Sequence, residues 1–220
     1  MRNKLKGPSA VVLVLCTTIL LGLSRYLLVN GIVGSGLYLS FFTFFDAIML
    51  LTGAVSFGLS SLVFFLRSLF RVALFGISPF IQLYHIPGLC ASASWATSNK
   101  LIHCGIPLIC GILFLAHPVG WSAAPYALYW LIPMAISIFN KDSVFLHSLA
   151  STFIAHAVGS ILWLYGTSIT ASMWLNLIPV VIVERLILAS AMTLMYWGCV
   201  HVGNLIGFSL GARSVREGNV

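Results

Sequence analysis

Charge is what this chain has least of. Only 7% of its 220 residues are Asp, Glu, Lys or Arg, and four of those are acidic. Long polar intervals are missing as well. None approaches the ~50 residues of a minimal independent domain, so no separate soluble domain is expected and residues 1–220 read as one unit. The cysteines number five, mostly inside apolar runs, which argues against a disulfide framework. No HExxH, no paired CxxC, no glycine-rich phosphate loop and no nucleophile elbow occurs. The chain is therefore read as a non-enzyme with no cofactor. An intramembrane hydrolase ranks third among the functional readings, because residues for it exist but no arrangement does.

Apolar residues are what is abundant. They make up 60% of the chain and the mean hydropathy is +1.07. Several stretches come near the ~20 residues that cross a bilayer, and the fold class expected is an all-α polytopic membrane bundle. Six transmembrane helices are predicted at 9–29, 37–57, 101–117, 122–139, 144–165 and 173–200. With these spans Arg2, Lys4, Lys6, Arg67, Arg71, Lys100, Lys141, Arg213 and Arg216 fall on one side, the cytoplasmic one by the positive-inside rule. Both termini are then cytoplasmic, and Arg25 alone sits near the opposite face, where it can snorkel. The net charge of +7 is thus topological, and nucleic acid is not an expected partner. A seventh span over 60–76 would carry Arg67 and Arg71 and ranks second. The basic start followed by an apolar run also fits a signal peptide, but cleavage would upset the charge sorting, so a retained first helix is preferred.

Between the second and third spans the pattern breaks. Residues 62–75 carry two arginines four apart among bulky apolar residues, as in a helix lying in the membrane interface or an extension of the second helix. Residues 78–88 have Pro79 and Pro87 around an apolar stretch, which fits an interfacial or re-entrant segment. On the fifth span, Ser151, Ala155 and Gly159 form a small-residue stripe suited to close helix approach.

Ionisable groups inside the spans mark the candidate site, since each costs roughly 2.5–3.5 kcal/mol on insertion scales. Glu184 and Arg185 lie in the sixth span, His156 in the fifth and Asp46 in the second. At ~1.5 Å per residue, Arg185 lies ~18 Å, and His156 and Asp46 ~14 Å, from the outer ends of their spans. A polar cluster near the midplane is the expectation. Neighbours on a helix point about 100° apart, so Glu184 and Arg185 are expected to find partners on other helices, Asp46 with Arg185 and His156 with Glu184. Those pairs either bind a ligand or only tie helices together. Trp163 and Trp174 would supply apolar walls for a small-molecule substrate. His103, Cys110 and His117 share a helix face but are ~10.5 Å apart in succession, too far to share an ion, and no metal site is predicted.

The size, the charge-derived topology and the stretch Phe41-Phe42-Thr43-Phe44-Phe45-Asp46-Ala47-Ile48-Met49-Leu50-Leu51-Thr52-Gly53-Ala54 resemble the substrate-binding membrane subunits, or S components, of energy-coupling factor vitamin transporters. The resemblance implies a six-helix subunit in the bacterial inner membrane that takes up a small polar organic nutrient. It also implies a transmembrane coupling subunit and ATPases as partners. The alternative is a non-transporting scaffold or assembly protein whose intramembrane charges organise helices.

Overall fold

The computed structural model describes residues 7, 8, 10–12, 15, 28–33, 37–43, 52–75, 83–97, 99–139 and 143–217. They are helical apart from one antiparallel hairpin, β1 (Leu28–Val33) and β2 (Leu37–Thr43). Leu28 pairs with Thr43 and Val33 with Leu37, with an irregularity between Val29 and Gly31. The hairpin corrects the second predicted helix, which was to begin at residue 37. Residues 28–33 and 37–43 are rich in β-branched and aromatic residues, which favour strands.

Helix α1 (Phe57–Phe75) starts where Ser56 Oγ accepts the Leu59 N–H at 3.0 Å, a serine N-cap. One continuous helix thus covers the segment expected at the interface. A single 3₁₀ turn, Leu83–His85, leads into α2 (Ile86–Ala96), with Pro87 in its first turn where a missing N–H costs nothing. Pro87, Gly88, Ala91, Ser92, Ser94, Trp95 and Ala96 are buried, so this part of the irregular region is a core helix of the bundle.

Proline explains the next two departures from ideal helix. The third predicted span is a π turn, Leu101–Gly105, followed by α3 (Ile106–Ala116). Pro107 cannot donate to the His103 carbonyl and would crowd it, and the wider turn relieves both. Pro118 then opens the short α4 (Pro118–Ser122), capped by His117, whose Nδ1 accepts the Val119 N–H at 3.2 Å. The fourth predicted span divides into a 3₁₀ segment, Ala124–Trp130, and α5 (Leu131–Phe139). Pro133 cannot donate to the Tyr129 carbonyl, and the chain before it winds more tightly.

The last two predicted spans are helical, and the second of them continues well past its predicted end at residue 200. Helix α6 (Val144–Gly166) begins at Ser143, whose hydroxyl accepts the Leu146 N–H. Helix α7 (Ala171–Glu217) runs for 47 residues, ~70 Å at ~1.5 Å per residue. Both are long and apolar enough to cross a membrane. Helix α6 is the hub, packed against α2, α3, α5 and α7. Its small-residue stripe faces α2: Ser151 Oγ donates to Ala91 O at 3.0 Å, and Gly159 lies beside Pro87. Gly53 and Gly120 press against the Ser92 and Phe114 carbonyls, leaving no room for a Cβ.

Two apolar clusters lie along α6 and α7. One holds Ala54, Ala91, Trp95, Leu188, Met192 and Tyr196. The other is aromatic, with Phe114, Tyr126, Trp130, Phe153 and Trp174. Large hydrophobics remain exposed along α3, α5 and α7, among them Ile109, Ile112, Ile138, Ile187, Leu194 and Trp197.

Candidate functional site

Residues buried on α7 recur every three or four positions: Trp174, Leu177, Val181, Arg185, Leu188, Met192, Tyr196 and Cys199. They form the inward stripe of a helix whose outward face is apolar too, and Arg185 sits at the middle of that stripe, between the two apolar clusters. It is 1% exposed. Its Nη2 donates to Glu184 Oε2 at 2.7 Å, and its Nη1 donates to Thr152 O on α6 at 3.4 Å. Glu184, on the flank of the stripe, keeps 21% of its side chain exposed.

The Glu184–Arg185 pair corrects the expectation that neighbours on a helix cannot meet. Their Cα–Cβ bonds do diverge, but the long arginine side chain folds back around the helix to the carboxylate. In an apolar interior, separating the charges costs far more than the rotamer does. His156 also has a different partner from the one expected. It shares a hydrogen bond of 2.8 Å with Tyr126 Oη. Thr152, His156 and Ser160 follow one another at four-residue spacing on α6, so one face of this helix presents all three. Asp46 falls outside the described residues.

Aromatic rings surround this polar centre. Tyr126 lies edge-on to Trp174 with centroids 4.8 Å apart, and Phe114 meets Trp130 at 5.0 Å and Trp174 at 5.3 Å. Tyr129 stacks on Phe153 at 5.7 Å, and its hydroxyl donates to Ile178 O at 2.5 Å, tying the 3₁₀ segment to α7. Trp174 is buried against Tyr126 and Phe114 in this cluster. Trp163 packs half-buried at the edge of the aromatic cluster. The indole N–H groups of Trp130 and Trp174 are buried and meet no acceptor among the described residues.

Of the six residues singled out from sequence, the structure brings His156, Trp174, Glu184 and Arg185 to one region. Tyr126, Thr152 and Ser160 were missed. The signal for Thr152 and Ser160 was their four-residue spacing from His156, whereas Tyr126 carried none, since only the fold carries the 3₁₀ segment to α6. The centre offers a guanidinium, a carboxylate, an imidazole and hydroxyls inside apolar walls. Its hydrogen bonds join the 3₁₀ segment, α6 and α7. Among the described residues no three His, Cys, Asp or Glu side chains converge as metal ligands. Compared with known proteins, the chain matches no family model, no curated protein and no solved structure.

Proposed function

We propose that the chain is an integral membrane protein that binds or translocates a small polar organic solute at the Arg185 centre, as one subunit of an uptake system. Arg185 and Glu184 supply charge complementarity, His156 with Tyr126 supplies hydrogen bonding, and Trp174 with Trp163 supplies the apolar edge. The observation that carries the reading is the burial of a guanidinium at the middle of an otherwise apolar stripe, because ionisable groups at such depth mark binding and transport sites. Exposed large hydrophobics on several helices suit a lipid-facing surface. An even number of spans with both termini cytoplasmic is the proposed topology, which rests on the sorting of cationic residues. The chain carries no nucleotide-binding motif, so ATP-driven uptake would draw on a transmembrane coupling subunit and ATPases in the bacterial inner membrane.

A second reading has its own observation. Arg185 already has Glu184 and Thr152 O as partners, and His156 has Tyr126, as expected of a scaffold whose polar groups only join helices. Native mass spectrometry of the protein purified gently from its host membrane separates the two. A retained small organic molecule, lost from Arg185→Gln and accompanied by further subunits, is the result expected for uptake. A ligand-free, partner-free protein whose melting temperature no host metabolite fraction raises would leave the scaffold.

A further inference from the structure

Away from the Arg185 centre, two histidines from different elements meet at the C-terminal end of α2. His103 comes from the π turn and His147 from the first turn of α6. His103 Nε2 lies 3.0 Å from Thr97 O and His147 Nε2 lies 3.1 Å from Ser94 O. A carbonyl oxygen only accepts, so each Nε2 carries a hydrogen and donates it. In the neutral rings each Nδ1 is then a bare lone pair. Neither Nδ1 makes a hydrogen bond among the described residues; His103 is buried and His147 half-buried. The ring centroids are 5.7 Å apart with planes inclined at 68°, and Trp95 lies against His147 at 4.5 Å.

We propose that His103 and His147 form a two-imidazole site for a first-row transition-metal cation of the Zn²⁺ or Cu²⁺ class, with water completing the coordination. Metal-binding histidines characteristically donate their second ring N–H to a backbone carbonyl or carboxylate, which fixes tautomer and ring orientation. Both rings do so here. With metal–nitrogen bonds of ~2 Å, two imidazoles on one ion place their centroids roughly 5–6 Å apart, a range that includes the observed separation. No carboxylate adjoins the pair among the described residues, so the oxygen-seeking Ca²⁺ and Mg²⁺ are disfavoured, and Cu²⁺ should bind more tightly than Zn²⁺. The π turn forced by Pro107 sets the register of His103, and π turns recur at functional positions. An ion held by both rings would clamp α2, the π turn and α6 together. The competing account is that the imidazoles only cap the last carbonyls of α2.

Glutamine separates the two accounts, because its amide N–H can still donate to a carbonyl while the bare imidazole nitrogen is gone. The full chain, purified in detergent and stripped with chelator, is titrated with Zn²⁺ and with Cu²⁺ while thermal unfolding is followed. A saturable rise in melting temperature is expected for the wild type and for His201→Gln, an exposed histidine on α7. His103→Gln and His147→Gln should each weaken the metal at least tenfold. Electron paramagnetic resonance of the wild-type Cu²⁺ complex, which needs no variant, should show two coordinated imidazoles. Absence of a metal-dependent rise, a rise that survives in both glutamine variants, or a spectrum without two imidazole nitrogens would overturn the proposal.

Discussion

Arg185 stands on α7 where a helical repeat calls for a leucine, and the consequences of that placement can be measured. Taking one partner from a buried ion pair leaves an uncompensated charge and costs about 3–5 kcal/mol. Arg185→Gln keeps donors but no charge, whereas Arg185→Met removes both, and Arg185→Met should lose about that much in denaturant unfolding from detergent micelles. Removing Glu184 instead leaves the guanidinium, 1% exposed, without its carboxylate, whereas the carboxylate left by Arg185→Met is 21% exposed, so Glu184→Leu should cost at least as much. The double variant Arg185→Met with Glu184→Leu should recover much of the loss, since replacing both members of a buried pair by apolar groups is often close to neutral. Equal instability of single and double variants would mean that the two side chains do not act as a unit. Tyr126→Phe tests the neighbouring bond. It leaves His156 without its hydroxyl partner at an expected cost of about 1–3 kcal/mol, read as a lowered unfolding midpoint.

At the scale of elements, α6 is the helix that the others need. Its small side chains let α2 approach closely enough for Ser151 to reach a carbonyl of that helix, and its polar face supplies Thr152, His156 and Ser160 to the centre. Two glycines make opposite predictions that follow from what a Cβ would meet. At Gly120 it would strike the Phe114 carbonyl, which is backbone and cannot swing away, so Gly120→Ala should destabilise by about 1–3 kcal/mol. At Gly198, inside α7, nothing lies within 4 Å. Gly198→Ala should therefore stabilise by up to about 1 kcal/mol through helix propensity. Melting curves of the two variants side by side would test the packing directly: a destabilised Gly198→Ala or an unaffected Gly120→Ala would contradict it.

For the whole molecule, the decisive property is orientation. The cationic residues that bracket the spans make a specific expectation: reporter fusions at the N- and C-termini should both read out as cytoplasmic, and single cysteines placed within 166–172 should react with an impermeant reagent from outside. Termini on opposite sides would overturn the even count and favour the odd one that a crossing by α1 would give. Helix α7, ~70 Å long at ~1.5 Å per residue, greatly exceeds a ~30 Å hydrocarbon core. Its C-terminal part must therefore extend beyond any bilayer that its apolar part crosses, and that is the end where Arg213 and Arg216 lie.

Composition and periodicity alone were enough to establish a helical, lipid-compatible chain, because scarcity of charge and long apolar runs are additive properties that need no contacts. They also located α6, α7 and the unusual Glu184 and Arg185. Proline, whose effects are local, marked where the π turn and the 3₁₀ segment interrupt the predicted spans, although their geometry was not anticipated. Partner choice was decided only by the tertiary structure. Arg185 folds back to its own neighbour, His156 goes to Tyr126, and His103 meets His147 rather than its helix-mates Cys110 or His117, because each choice depends on which helices pack together and at what height. Sequence spacing speaks to one helix at a time, and a hydrogen bond between elements is determined by their packing.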